Sequence, residues 1–257
     1  MDFEVAIPSY QRVKKLKTQT LPFLERVGIP RERITIFLKN IEEANVYVPE
    51  ISGYRFKICN NKNIWEKRNF IIDYYPIGQK VLGMDDDIQD VKFLDETKDF
   101  ISVVNRMFKL CEEQNCSTFG FYPITTSNNF YLKERVASGL QYICWALYGF
   151  INRGVKIPEE YMLIDDRWWS CYWYRREGKT LRYEGASIKT VYFSSGGMSE
   201  IRSQKQVEPV LKLLEKEYPE CVKFQVKRNG RPDVVFKRIQ REFLELYNQD
   251  AESDGTE

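Results

Sequence analysis

Short apolar runs alternate with helical patterns over the first ~120 residues, and this alternation is the feature that most limits the fold. Strands that alternate with helices are typical of α/β proteins, in which a mostly parallel central sheet carries helices on both faces. The sequence therefore predicts a fold of this class. The predicted strands are residues 3–8, 33–38, 54–58, 79–84 and 117–122, and the predicted helices are residues 14–27, 64–75 and 100–114.

The second half of the chain mixes strand and helix patterns less regularly. It contains an apolar run at 142–150, a predicted strand at 187–193, and predicted helices at 207–217 and 232–247. We find no internal repeat and no linker long enough to separate two domains. We therefore expect one domain over residues 1–247, followed by a disordered acidic tail at 248–257.

Histidine is absent from all 257 residues. This absence excludes Ser-His-Asp and Cys-His catalysis, His-ligated zinc enzymes and the two-His iron triad of oxygenases. A bound metal must therefore be held by oxygen ligands or, alternatively, by sulfur. A catalytic base must be Asp, Glu, Lys, Tyr or Cys.

The six cysteines are scattered and form no CxxC pair, which is typical of free buried thiols in a reducing compartment. The first residues lack the basic and apolar regions of a secretory signal. The longest apolar stretch, residues 140–151, is shorter than the ~20 residues that a membrane span needs. We therefore expect a cytoplasmic protein without a membrane partner, as a monomer or weak dimer.

Three consecutive carboxylates, Asp85, Asp86 and Asp87, directly follow the predicted strand at 79–84. Open α/β sheets bind ligands at the carboxyl ends of their strands, and adjacent carboxylates repel each other unless a cation offsets the charge. Mg²⁺ and Mn²⁺ prefer oxygen ligands and are often shared between carboxylates and substrate phosphates. The pattern favours a metal and diphosphate site; a solvated acidic turn or a helix N-cap is the alternative.

A second carboxylate pair, Asp165 and Asp166, follows the apolar run 162–164. In a chain without histidine, this pair is the best candidate for a general base. An N-cap or an ion pair with Arg167 explains the pattern equally well.

Two further features could bind phosphate. Arg68 lies near the start of the helix predicted at 64–75, where the helix dipole favours anions. Gly196 and Gly197 lie in a Ser-Ser-Gly-Gly turn, whose backbone N–H groups can bind phosphate oxygens. A surface arginine and an ordinary loop are the alternative interpretations.

Taken together, residues 3 to about 195 resemble the GT-A-fold glycosyltransferases, which have a Rossmann-like sheet. In that family a loop after the first strand holds the nucleotide base, and a helix carries an Arg-Asn pair that contacts the nucleotide sugar. A D-x-D motif binds a divalent metal and the diphosphate. The matching residues are Pro8, Ser9, Tyr10 and Arg12 in the loop, Arg68 and Asn69 in the helix, and Asp85 to Asp87 in the D-x-D motif.

The resemblance implies a role for each part of the site. It implies that Asp85 and Asp87 hold Mg²⁺ or Mn²⁺, that Asp85 and Asp86 contact a nucleotide-diphosphate sugar, and that Asp166 or Asp165 is the base in an inverting reaction. Many family members add a C-terminal histidine to the metal site, and this chain has none.

The chain is also similar to the short TET/JBP-associated enzymes of phages, which modify hydroxymethylated pyrimidines in DNA. This narrower resemblance implies a DNA acceptor and the cytoplasm of an infected host cell. Residues 202–241 carry eleven Lys and Arg against five acids, so Lys227 and Arg228 could follow a phosphate backbone. Trp168 and Trp169 could stack on an extruded base. Stacking on a glycan acceptor or filling the core explains these side chains equally well. A protein or glycan acceptor, or a non-catalytic nucleic-acid-binding module, is the alternative.

Overall fold

The computed structural model describes residues 1–61, 63–123, 131–190, 204–239 and 241–247. The strands are β1 (Glu4–Pro8), β2 (Ile34–Leu38), β3 (Arg55–Ile58), β4 (Lys80–Met84), β5 (Ile88–Phe93), β6 (Thr118–Tyr122), β7 (Val136–Gly139), β8 (Leu147–Ile151), β9 (Thr180–Thr190), β10 (Val222–Val226), β11 (Pro232–Phe236) and β12 (Glu242–Leu244).

The helices are α1 (Val13–Lys15), α2 (Leu21–Arg26), α3 (Ile41–Glu50), α4 (Ile64–Tyr74), α5 (Phe100–Glu113), α6 (Asp165–Glu177) and α7 (Gln204–Glu217). A π-helical turn, Leu16–Thr20, joins α1 to α2, and short 3₁₀ turns lie at Arg31–Arg33 and Glu159–Tyr161. None of the described helices is long and apolar enough to cross a membrane.

Within the described residues, ten strands form one sheet in the order β12-β7-β9-β6-β8-β4-β1-β2-β3, and β5 pairs with β9. The strands β1 to β4, β6, β9 and β12 run in one direction, and β5, β7 and β8 run in the other. The prediction of an α/β domain with a mostly parallel central sheet is therefore confirmed. The strands β10 and β11 form a separate antiparallel hairpin.

Apolar side chains cover both faces of the sheet, as the continuous apolar runs of the strands require. One core cluster packs the sheet against α2, α3 and α5, and the other packs it against α4, α6 and α7. All six cysteines are free, and only Cys59 among them is incompletely buried. The two helical layers cover the faces of the sheet, and polar residues lie together at the carboxyl end of β4.

The prediction of one helix over 232–247 is wrong. Residues 232–236 form β11, which pairs with β10, and residues 242–244 form β12, which pairs with β7. Val234 is buried whereas Val235 is exposed, so the segment has the two-residue alternation of a strand rather than a helical period. The predicted tail at 248–257 lies outside the described residues.

The strand predicted at 187–193 begins earlier in the structure, as β9. It begins at Thr180, seven residues before the predicted start, and its last three predicted residues lie outside the described part of the chain. The sequence analysis did not identify α3, which contains Pro49 and the β-branched Val46 and Val48. These residues lower helix propensity, and the N-cap Asn40 stabilises the helix start by accepting a hydrogen bond from Glu43 N at 3.0 Å.

Candidate active site at the carboxyl end of β4

Asp85, Asp86 and Asp87 begin where β4 ends, and the sheet fixes their positions. The backbone N–H of Asp85 donates to Ala146 O at 2.9 Å, which extends the β4–β8 pairing by one residue. Asp86 and Asp87 are buried, and Asp85 is half-buried. Burial raises the pKa of Asp85 to about 7, against the opposing effect of Arg68, and the neighbouring carboxylates raise it further. Negative charge is therefore crowded at this edge of the sheet.

The loop after β1 reaches the same carboxylates. Ser9 Oγ donates to Asp86 Oδ2 at 2.5 Å, and Arg12 Nη1 lies 3.3 Å from Asp86 Oδ1 and 3.2 Å from Asp87 Oδ2. Thr190 Oγ1, at the end of β9, donates to Asp87 Oδ1 at 2.9 Å. The structure therefore brings together three elements that are far apart in the sequence.

Tyr47 of α3 links the loop to this network, although the sequence analysis did not identify it. Its buried hydroxyl accepts a hydrogen bond from Arg12 N at 2.9 Å and lies 2.8 Å from Ser9 Oγ. Because the Ser9 hydroxyl has one hydrogen and donates it to Asp86, Tyr47 must donate to Ser9. The hydrogen bonds therefore run in one direction, from Arg12 N through Tyr47 and Ser9 to the Asp86 carboxylate.

Two further charged residues hold the loop, and neither was predicted. Glu43 accepts from Gln11 N at 2.6 Å and from Lys39 N at 2.7 Å, and the backbone of Gln11 has a φ of 54°. Lys67 of α4 is only 1% exposed and donates to Ser9 O, and its burial lowers its pKa. The Asn40-to-Glu43 spacing signals a helix start, but it does not reveal that Glu43 binds a loop some thirty residues away.

We expect Tyr47→Phe to lower the free energy of unfolding by about 1–3 kcal/mol, because Ser9 Oγ and Arg12 N would both lose a buried partner. Urea denaturation of the variant and the wild type measures this change. Tyr131→Phe is the matched control, since Tyr131 is 53% exposed and its change should stay within about 0.5 kcal/mol. Equal effects of the two substitutions would argue against the hydrogen bonds of Tyr47 with Ser9 and Arg12.

Arg68 of α4 forms a buried ion pair with Asp165, the first residue of α6. Asp165 is 1% exposed, and the Arg68 guanidinium lies 4.5 Å from the centre of the Trp145 ring. Although burial opposes it, the charges of Asp165 and Asp85 raise the pKa of Arg68. Arg68 thus stands between the two acidic groups that the sequence singled out, which places both groups at one site.

Asp166 has a different environment from Asp165. Tyr142 OH donates to Asp166 Oδ2, and Arg167 N donates to Asp166 Oδ1 at 2.8 Å. The Asp166 side chain is 14% exposed, whereas Asp165 is enclosed and ion-paired. Of the two carboxylates, Asp166 is therefore the better placed to meet an incoming substrate.

Other predicted contacts lie elsewhere or have other partners. Both polar atoms of the Asn69 amide bind the backbone of Ile157, at 2.8 and 2.9 Å. Trp168 and Trp169 are 3% and 2% exposed and belong to the core, so their burial does not agree with stacking on an acceptor. Both rings lie in the core cluster that includes α4, α6 and α7.

Of the remaining predicted residues, the structure describes Pro8, Tyr10, Lys227 and Arg228. Pro8 ends β1, and the ring of Tyr10 lies 5.1 Å from Lys39 Nζ. Lys227 and Arg228 are exposed at the turn between β10 and β11, where Lys227 is also paired with Asp233. Gly196 and Gly197 fall outside the described residues.

The donor atoms at this site are carboxylate oxygens, the ligand type that Mg²⁺ and Mn²⁺ prefer. Across the part of the chain that the structure describes, no three acidic or thiol side chains converge into a complete metal cage. Asp85 and Asp87 could therefore supply part of a coordination shell, as is usual for ions that are shared with a bound phosphate.

The order of strands and the acidic loop after β4 define a GT-A-like fold. One solved structure with this fold is glucosyl-3-phosphoglycerate synthase from Mycobacterium tuberculosis in complex with Mn²⁺ and UDP-glucose. It has a TM-score of 0.53 and 9% identity, over 91% of this chain and 86% of that chain. The same enzyme in complex with phosphoglyceric acid has a TM-score of 0.50 and 9% identity, over 87% and 83%. No protein-family model and no curated protein matches the sequence.

Proposed function

We propose that this protein is a metal-dependent glycosyltransferase that moves a sugar from a nucleotide-diphosphate sugar to a hydroxyl acceptor. The observation that carries the proposal is the meeting of Asp85–Asp87 with Arg12 and Arg68 at the carboxyl end of β4. This edge is where α/β sheets bind their ligands. The solved structures of similar fold include a glucosyltransferase that holds Mn²⁺ and UDP-glucose, which supports the same type of donor substrate.

Each part of the site has a separate task in this proposal. Asp85 and Asp87 would hold a divalent cation, whose positive charge would offset the repulsion between these two neighbouring carboxylates. A bound Mg²⁺ or Mn²⁺ ion supplies positive charge that stabilises a departing diphosphate. Arg12 adds positive charge beside Asp86 and Asp87, and Ser9 and Tyr10 lie on the loop that would hold the nucleotide base.

On the acceptor side, Asp166 accepts the proton of the attacking hydroxyl in this proposal. Tyr142 and Arg167 orient its carboxylate through hydrogen bonds. Asp165 acts as a positioning residue, because its buried ion pair with Arg68 joins the start of α6 to α4. In this proposal Asp166 is thus the base, and Asp165 holds the start of α6 in place.

The narrower proposal, that the acceptor is a 5-hydroxymethylpyrimidine in DNA, is supported by the hairpin of β10 and β11. Arg228 and Arg231 are exposed at its tip. The strand β11 lies beside the candidate site along its length, since Asp233 pairs with Arg167 and the Phe236 ring lies 5.5 Å from that of Tyr142. Basic side chains at such a place could bind the phosphates next to a modified base. A small phosphorylated hydroxy acid, the class of ligand in one similar structure, is the other acceptor to test.

The test is transfer by the purified full chain, with Mn²⁺ and a panel of nucleotide-diphosphate sugars. The acceptors are phosphoglycerate, hydroxymethylated DNA, unmodified DNA and a neutral glycoside, and mass spectrometry detects the added sugar. We expect a hexose or pentose mass on at least one hydroxyl acceptor and loss of transfer in EDTA, with recovery when Mn²⁺ is restored.

Two results would count against the proposal. Transfer that persists undiminished in EDTA would exclude the role of a divalent ion. The absence of both transfer and nucleotide-sugar hydrolysis across the whole panel would exclude the activity itself. Modification of phosphoglycerate but not of hydroxymethylated DNA would reject the DNA acceptor alone.

A further inference from the structure

Two arginines bind one carboxylate on the outer half of the sheet, and a third arginine lies nearby. Glu184 of β9 is 4% exposed and accepts from Arg182 Nη2 at 2.6 Å and from Arg135 Nε at 2.9 Å. Arg241, just before β12, lies with its Nη2 3.4 Å from Gln141 Oε1. We call Arg135, Arg182 and Arg241 the arginine group. A single acid at this place leaves positive charge in excess.

The arginine group also has hydrogen-bonding capacity to spare. Within the described residues, Arg182 Nε and Gln141 Nε2 are buried N–H donors without an acceptor, in side chains that belong to residues 9% and 1% exposed. Buried N–H donors normally have an acceptor, and a buried donor without a hydrogen bond costs free energy. Partial desolvation of the otherwise exposed Arg241 side chain lowers its pKa, and the charges of Arg182, Arg238 and Arg135 lower it further, against the effect of Glu184. A bound anion would offset the excess positive charge, and it would accept hydrogen bonds from these two donors.

The register of the sheet places this group on the same face as Asp85. Gly83 pairs with Tyr148, Tyr148 pairs with Gly120, and Gly120 pairs with Arg182. Directly paired residues point to one face, and residues two apart along a strand do so as well. Asp85 and Arg182 therefore share a face, with three strand spacings, about 14 Å, between the backbones of β4 and β9.

The helix α6, whose first turn contains Asp166, packs over that same face, and Tyr142 donates a hydrogen bond to Asp166. Arg182 lies 5.2 Å from the ring of Tyr122 at the end of β6, on the side of β6 that faces Ile143. The arginine group and the proposed base thus lie on one face of the sheet. An acceptor that lies along this face could meet Asp166 with its hydroxyl and the arginine group with an anionic group.

We infer that the arginine group, together with Gln141, binds a phosphate group of the acceptor substrate. The inference rests on the proposed glycosyltransferase function and adds the chemical class of its acceptor. The phosphate can come from a small phosphorylated hydroxy acid or from a phosphodiester of a nucleic acid. Arginine suits either source, because its planar guanidinium binds phosphate oxygens with two parallel hydrogen bonds.

The test uses Arg241→Gln and Arg182→Gln, with Lys109→Gln as the control. Arg241 is exposed and next to a short edge strand, so its substitution carries little risk of misfolding. Lys109 is 70% exposed and lies on α5, which packs on the opposite face of the sheet. Calorimetric titration with inorganic phosphate gives a readout that needs no turnover. The KM for phosphoglycerate, for hydroxymethylated DNA and for a neutral glycoside is then measured for each variant.

We expect the wild type to bind inorganic phosphate and Arg241→Gln to bind it about 10- to 100-fold more weakly, the range for a charge-assisted hydrogen bond. The KM for the phosphate-bearing acceptor should rise by a similar factor, while the KM for the nucleotide sugar and all values for Lys109→Gln stay within about twofold. The acceptor whose KM shifts identifies the source of the phosphate.

Several outcomes would overturn the inference. These are a wild type that does not bind phosphate, variants that bind it as the wild type does, and weaker phosphate binding without any change in acceptor KM. Efficient transfer to the neutral glycoside alone would also overturn it. If no nucleotide sugar is ever consumed, the proposed function fails, and the phosphate titration still decides whether the arginine group is an anion site.

Discussion

Asp87→Asn is expected to lower metal-dependent sugar transfer by about 10²- to 10³-fold, the usual effect of removing one electrostatic contact to a transition state. Asn has the shape of Asp but no charge, so it can still accept the hydrogen bond from Thr190 while losing its attraction for a cation and for Arg12. The loss should therefore appear in activity more than in folding. Transfer rates at saturating nucleotide sugar, together with Mn²⁺ titrations of both proteins, measure it.

Asp90→Asn is the matched control for that experiment. Asp90 lies three residues further along, in β5, and its side chain is 40% exposed in an ion pair with Arg26. Exposed ion pairs contribute little, so this variant should transfer sugar within about twofold of the wild type. If Asp87→Asn retained its rate within about threefold and its affinity for Mn²⁺, Asp87 would not be a metal ligand.

The second large effect is expected from Arg68→Met, which should lower the free energy of unfolding by about 3–5 kcal/mol. The substitution would leave the carboxylate of Asp165, which is 1% exposed, without its cation. Denaturation in urea at neutral pH measures the change. Transfer activity should fall as well, because Arg68 interacts electrostatically with Asp85.

A double variant separates stability from function. In Arg68→Met with Asp165→Asn, the buried charge is gone and Asn can still accept the hydrogen bond from Asp166 N, so at least about half of the lost stability should return. Activity should not return, since the Arg68 charge that acts on Asp85 is still missing. Arg175→Met provides the control, because its pair with Glu220 is more than 40% exposed on both sides and should cost less than about 1 kcal/mol. Equal costs for Arg68→Met and Arg175→Met would contradict a buried pair.

The acidic edge of the sheet could be predicted because its cause is local. An apolar strand followed by Asp85–Asp87 fixes both the position and the chemistry of these side chains, and the first strand, its loop and the helix at 64–74 follow from patterns of similar length. The partners of these residues could not be predicted. Tyr47 contacts Ser9 across 38 residues, and Arg68 meets Asp165 across 97, so only the folded sheet brings them together.

Two other differences between the sequence analysis and the structure have equally physical reasons. Trp168 and Trp169 are adjacent, and adjacent residues on a helix usually differ in exposure, yet both are buried in the core. The segment 232–247 has enough charged and apolar residues to imitate an amphipathic helix. Its true form depends on pairing with β10 and β7, which a local pattern does not contain.

The row of paired residues from Gly83 to Arg182 fixes the distance between the end of β4 and the arginine group. Its length is set by backbone hydrogen bonds across β4, β8, β6 and β9, and no side-chain substitution can shorten it. If the arginine group binds the acceptor, a different acceptor length would call for arginines on another strand, or two residues along the same strand, in steps of about 5 or 7 Å. Under that proposal the acceptors of related enzymes would differ in length by discrete increments.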